Sequence, residues 1–395
     1  MEKLTSSFYL DYNATSPLSE SVKDYLERGD FVFANPSSAY QLGKQSRKVI
    51  NNSREFLFRN FGIDEARFQL VFHSGATEGM NTLLFGSAFY SFKHKTKTSF
   101  YISPTDHSCV VNLKADLESM GHNVFFIPIN KNGEIKKSEL INLVKSDKAD
   151  RIIVNWTWLN NETGVVNTLK DAVEIKNETN CEIICDSVQT PGKIPGWESL
   201  TNDLDAYVYS SHKFGGLKGV GFSFIKDSFK YSSLITGGGQ QKGSRSGTEN
   251  PMGVYTTELA LRDLVNSFTS SYINQLINIK SKIEKTIIEC LGEDVIVARD
   301  ALEKNINTIS FIIPDTNANL LLMAFDLSGF QVSSGSACSS GSNIPSRILE
   351  ALGLSEELTK SGIRISLGKQ TALLSDNEVS ELLSLLKNIL RKYKK

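Results

Sequence analysis

Between Phe68 and Ile225 the chain repeats one pattern: a short apolar run rich in β-branched and aromatic residues, then a longer segment of helical period. FQLVFHS, TSFYISP, NVFFIPI, RIIVNWTW, CEIICDS, AYVYSSHK and VGFSFIKD read as strands. ATEGMNTLLFGSAFYSF, HSCVVNLKADLESMG, KKSELINLVKS and TLKDAVEIKNET read as helices between them. This alternation predicts an α/β fold whose mainly parallel sheet is covered by helices on both faces, with binding residues at the carboxyl ends of its strands. After Pro251 the texture changes. One long helical stretch from Val254 to about Gly292 precedes INTISFIIP, NLLLMAFDLSG, RILEALG, GIRISLG and a closing helix over DNEVSELLSLLKNILRKY. A chain of 395 residues exceeds what one core supports. The expected division is a large domain over residues 18–265 and a smaller α/β domain from residues 1–17 and 266–395.

Charge changes this picture little. With 43 basic and 44 acidic side chains, and no basic run before the terminal RKYKK, direct nucleic-acid binding is not expected. The first residues lack the apolar core of a signal peptide, and no run of about 18 apolar residues suggests a membrane span. A soluble, cytoplasmic protein is expected. Cys109, Cys181, Cys185, Cys290 and Cys338 form no CxxC pair and have no histidine at finger spacing. Free thiols in a reducing compartment are expected, with neither a disulfide framework nor a metal site. The Asn-x-Thr triplets at Asn13, Asn155 and Asn161 carry no weight in such a chain.

Three stretches carry candidate chemistry. In VFHSGATEGMN a strand ends and a helix opens at Gly75, Ala76 and Thr77, where free N–H groups and the positive dipole end suit a phosphate. The lysine of a P-loop and the full GxGxxG of a dinucleotide site are both missing. In CEIICDSVQTPG and AYVYSSHKFGG, Asp186 and Lys213 end neighbouring apolar strands, an acid able to keep a ring nitrogen protonated and an amine able to bond a carbonyl carbon. Ser210 and His212, beside that lysine, could add phosphate contacts. In QVSSGSACSSGS, Cys338 lies among small and hydroxyl residues that permit either a plain linker or a movable nucleophile.

Taken together, YLDYNATSPL, NPSSAYQLGKQSR, SGATEGMN, TDHSCVV, NNETGVV, CDSVQTPGK, SSHKFGGLKGVG, GGGQQKGSRSGT, VSSGSAC and IRISLG resemble, in family order, the cysteine desulfurases of the class V aminotransferase family, pyridoxal phosphate enzymes of fold type I. The resemblance implies pyridoxal 5'-phosphate bonded to Lys213, with Asp186 on its ring nitrogen, Gln189 donating to its phenolic oxygen and His107 on its face, where it also moves protons. It implies a phosphate cradle of Ala76, Thr77, Ser210 and His212, joined by Thr248 from the second subunit of a homodimer. Asn161, which would also contact the cofactor, and Arg364 would orient the substrate, L-cysteine. Cys338 would take its sulfur as a persulfide, release L-alanine and pass the sulfur to an acceptor protein, a cluster scaffold or a tRNA-thiolation enzyme.

The chain departs from the family pattern at Tyr40, Gln241, Lys242 and Leu217, none of which removes a group the chemistry needs. Its short C-terminal segment weakens the expectation of a cluster scaffold. The other four cysteines read as small core residues. The competing expectations are selenocysteine lysis or another class V reaction on the same frame, and a non-catalytic sulfur-transfer partner.

Overall fold

The structure, a computed structural model, describes residues 8–335 and 345–393. Its strands in chain order are β1 (Phe8–Tyr9), β2 (Phe68–His73), β3 (Thr98–Ile102), β4 (Asn123–Phe126), β5 (Arg151–Thr157), β6 (Glu182–Asp186), β7 (Ala206–Ser210), β8 (Gly221–Lys226), β9 (Thr308–Ile312), β10 (Phe330–Gln331), β11 (Ser333–Ser334) and β12 (Gly362–Ser366). Each of the seven apolar runs between Phe68 and Lys226 is a strand of one sheet, ordered β2-β8-β7-β6-β5-β3-β4. Only β8 runs against its neighbours, β2 and β7; the remaining pairs are parallel.

These strands read as continuous apolar runs because both faces are buried. Residue parity then assigns each side chain to a face. Ile183, Cys185, Tyr207, Tyr209, Phe222 and Phe224 enter one core cluster, whereas Ile184, Ala206, Val208 and Ile225 enter the opposite one. A separate core lies where β9, β11 and β12 form an antiparallel sheet. The helix Ser270–Leu291 supplies Leu276, Ile279, Ile283 and Ile287 to it, and the closing helix Asp376–Leu390 adds Leu382 and Leu386. Phe8 and Leu10, from the start of the described chain, also belong to this core.

Local chemistry breaks two of the expected helices. The stretch from Val254 to Gly292 is two helices, Pro251–Ser267 and Ser270–Leu291. The hydroxyl of Thr269 accepts from the N–H of Tyr272 at 3.3 Å, so the Ser/Thr run starts a new helix although the apolar period continues through it. The segment after His107 is likewise two short helices, Ser108–Val111 and Lys114–Ser119. Two further helices, Glu20–Arg28 and Gln41–Phe61, precede β2.

The helix Ala76–Lys93 packs closely through two glycines seven residues apart, Gly79 against the sheet and Gly86 against the segment that follows β8. A Cβ on Gly79 would fall 2.7 Å from His73 Nε2, and one on Gly86 would fall 2.5 Å from the carbonyl oxygen of Ser232. Ala is the better helix former by about 1 kcal/mol, but overpacking against backbone costs about 1–3 kcal/mol. Gly86→Ala is therefore expected to lower the melting temperature of the apoprotein by a few degrees in calorimetry. A rise would mean that the helix stands farther from Ser232.

Candidate active site

The carboxyl ends of β2, β3, β5, β6 and β7 open onto one cleft of about 540 Å³. Ala76, Thr77, His107, Asn161, Asp186, Gln189, Ser210, His212, Lys213 and Arg364 all line it. Thr248 is exposed elsewhere on this chain, and Cys338 lies outside the described residues.

At one end of the cleft, Gly75 caps the helix Ala76–Lys93 with φ 155° and ψ 171°, a region essentially reserved for glycine. A Cβ there would stand 3.7 Å from Ser210 Oγ, so the missing side chain leaves a cradle between the helix start and β7. First-turn N–H groups lack intrahelical acceptors and carry the positive end of the dipole. His212 Nδ1 pairs with Thr15 Oγ1 at 3.1 Å. Burial, aided by Lys213 and Lys193, pushes the basicity of His212 down to about 4, so its ring is neutral.

Deeper in, the 3-10 turn Ser211–Lys213 that follows β7 delivers the lysine. Its Nζ donates to the carbonyl oxygens of Asn13 at 2.7 Å and Ala14 at 2.9 Å. Gln189 Nε2 donates to the same Asn13 oxygen at 3.0 Å. Asp186 Oδ1 accepts from the N–H of Val188 at 3.1 Å, and burial lifts its pKa to about 6 against the opposing charge of Lys213. His107 Nδ1 accepts from the N–H of Cys109 at 3.1 Å, capping the short helix that follows. A ring nitrogen that accepts carries no proton, so a neutral His107 bears its hydrogen on Nε2. Burial and the charges of Lys213 and Arg347 lower its basicity, which favours that neutral form.

Arg364 is brought in by β12 of the other core. Its Nη2 holds Asp11 Oδ1 at 2.8 Å and its Nη1 donates to the carbonyl oxygen of Asn161 at 3.2 Å. The guanidinium is buried, and among the described residues its Nε finds no hydrogen-bond partner. An unpaired buried donor is costly and suits an incoming anion.

The family model for class-V aminotransferases matches residues 8–380. The chain belongs to the class-V aminotransferase family. Among its class-V relatives, the cysteine desulfurase IscS of Methanosarcina thermophila is 32% identical, the alignment covering 97% of this chain and 92% of that one. The NifS-like protein from Rickettsia africae superposes with a TM-score of 0.84 at 27% identity, covering 97% of this chain and 99% of that one. SspA, solved in complex with cysteine, superposes with a TM-score of 0.73 at 26% identity over 92% of this chain and 99% of that one.

Class-V enzymes depend on pyridoxal phosphate, and the cleft fits that group. Its residues offer an amine, a buried carboxyl and a glycine-floored helix start for an aldehyde, a ring nitrogen and a phosphate. One expectation about the thiols is corrected. Cys181, Cys185 and Cys290 are buried core residues, but Cys109 is half-buried and lines the cleft of this class-V chain. Burial, then Asp186 and Asp106, pushes its pKa up to about 12, so it is an unreactive neutral thiol.

Sequence reasoning missed three residues that organise the site: Asn13, Lys193 and Asp106. The last is fully buried just before His107. It accepts from Thr157 Oγ1 at 2.6 Å, Asn155 Nδ2 at 2.7 Å and the N–H of Ser103 at 2.8 Å, tying the His107 turn to β5. Burial raises its pKa from 3.8 to about 7. Stability from this group is full below the unfolded value and is lost as pH rises through the folded one, because the unfolded chain releases the proton first. Asp106→Asn, which cannot ionise, should flatten the fall in apoprotein melting temperature between about pH 5 and pH 7.5. An unchanged slope would place the titration elsewhere.

Proposed function

We propose that the chain is a pyridoxal-phosphate-dependent cysteine desulfurase that converts L-cysteine to L-alanine. The observation that carries this reading is the convergence on one cleft of the Lys213 amine, the buried Asp186 carboxyl and an Arg364 guanidinium with a spare buried donor. The cysteine desulfurase IscS relatives support it, as does the likeness to SspA solved in complex with cysteine.

Pyridoxal phosphate, when bound, supplies an electron sink that lets the Cα proton of an amino acid be removed. Lys213, Asp186, Gln189, His107 and the cradle of Ala76, Thr77, Ser210 and His212 would hold it. Arg364 takes the substrate carboxylate, using Nε for a second hydrogen bond, and Asn161 orients the substrate beside it. Lys213 Nζ removes the Cα proton and returns it. His107 Nε2 holds or moves the proton at the substrate sulfur. The thiolate of Cys338 attacks that sulfur: the sulfur–sulfur bond forms as the carbon–sulfur bond breaks, the bonding pair stays on Cβ and takes up the proton that His107 drew from the substrate thiol, and L-alanine leaves while a persulfide remains on the enzyme. Cys109, kept protonated, does not compete.

The same reading extends to the assembly. Thr248, exposed on this chain, completes the phosphate cradle of a second copy in a homodimer. The protein acts in the cytoplasm, and the acceptor of its sulfur is a cluster scaffold or a tRNA-thiolation enzyme. Residues 18–265 form the cofactor domain; residues 1–17 and 266–395 form the small domain carrying Cys338.

The test pairs two readouts on Cys338→Ala and the parent. After L-cysteine, mass spectrometry of the parent should find one added sulfur on the peptide containing Cys338. The variant should keep its visible cofactor band while alanine formation falls by more than about 100-fold. Full alanine formation by the variant, or sulfur found only on another cysteine, would overturn the assignment.

A further inference from the structure

Lys193 is a buried lysine that the chemistry above does not use. It closes a tight turn in which its N–H donates to the carbonyl oxygen of Thr190 at 3.1 Å. Pro191 and Gly192 occupy the central positions, with Gly192 at φ 72°, the arrangement a proline-glycine turn favours. The turn folds the side chain back under Gln189. There Nζ donates to Gln189 Oε1 at 2.5 Å and to the carbonyl oxygen of Tyr12 at 3.3 Å. Both acceptors are neutral, and among the described residues no carboxylate forms an ion pair with it. The charged groups around it are Lys213, Arg364 and, opposing them, Asp11. Burial drives its pKa well below the usual lysine range.

The consequence lies in Gln189. A side-chain amide presents its oxygen one way and its nitrogen the other, and rotation exchanges them. Asn13 contributes a carbonyl oxygen, which only accepts, so Nε2 must face it. Lys193 supplies the matching donor on the oxygen side. We propose that Lys193 is a positioning residue that locks the Gln189 amide with its NH2 group toward the cleft, where it meets the phenolic oxygen of the cofactor. The inference rests on the reading of Gln189 as that donor. Lys193 touches neither cofactor nor substrate on this account and acts through Gln189 alone.

A donor at the phenolic oxygen draws off negative charge that otherwise holds a proton on the cofactor-bearing nitrogen of Lys213. Losing it tightens that proton and raises the pH at which the visible chromophore of the holoenzyme is half-titrated. Gln189→Leu should raise this midpoint by about one pH unit. Lys193→Met should raise it by a similar amount, the double variant by no more than either single, and Lys193→Gln, whose amide still donates, should return it toward the parent. Lys193→Leu serves in place of Lys193→Met if the latter does not fold. A shifted midpoint in Gln189→Leu beside a parental one in Lys193→Met overturns the proposal and leaves the Gln189 reading intact. A parental midpoint in Gln189→Leu removes that reading and the proposal with it.

Discussion

The site depends on the hydrogen bonding of one buried residue, Asn13. Its carbonyl oxygen receives both the Lys213 amine and the Gln189 amide. Its N–H donates to Ser366 Oγ at 3.0 Å, and its side-chain nitrogen to Thr308 Oγ1 at 2.9 Å and the carbonyl oxygen of Asn161 at 3.0 Å. Its side-chain oxygen accepts from Asn307 Nδ2 at 3.2 Å. Six contacts thus tie residues on the large sheet's carboxyl edge to strands of the separate core. Each unmade bond of a buried polar group costs about 1–3 kcal/mol, so few other side chains fit here. The neighbouring residues extend the tie: Phe8 pairs with Phe330, and Asp11 bridges to Ser366 and holds Arg364. A short N-terminal segment thereby brings an amine from one core and a guanidinium from the other to the same cleft.

Burial sets the charge states around that hub. It lifts the carboxyls of Asp186 to about 6 and Asp106 and Glu162 to about 7. It lowers the basicity of His107, His212 and Lys193. Desolvation alone favours neutral forms, and specific partners then decide which groups ionise. Asp186 has the Lys213 charge nearby; a protonated ring nitrogen would draw it further toward the carboxylate. Arg364 is paired with Asp11 and retains a donor beside it.

The large sheet was legible because its strands are buried on both faces and therefore read as unbroken apolar runs. The helix Gln41–Phe61 was not, since Gly43, Ser46 and Ser53 carry much of its buried face and blur the apolar period. Phe268 and Tyr272 prolong that period across the break at Thr269, where only a hydroxyl marks the new start. Of the twelve site residues expected from motifs, ten line one cleft: nine follow strand ends that the large sheet gathers on one edge, and Arg364 comes from within β12 of the separate core. Asn13 and Lys193 lie in YLDYNATSPL and CDSVQTPGK, stretches that carry the family resemblance, but nothing in those stretches gave either residue a role. The role of Asn13 comes from contacts spanning 148 to 353 residues, and that of Lys193 from a bond to Gln189 four residues away joined to one with Tyr12 across 181, neither of which a local pattern of apolar and polar positions carries.

At the centre of the proposal is a single amine, Lys213, held at the meeting point of both cores and proposed to bond the coenzyme. Borohydride reduction of the protein loaded with pyridoxal phosphate, followed by peptide mapping, tests this most directly. The reduced pyridoxyl mass is expected on the peptide containing Lys213 and to be missing there in Lys213→Ala. Its appearance on Lys193, or on any other lysine, would contradict the account.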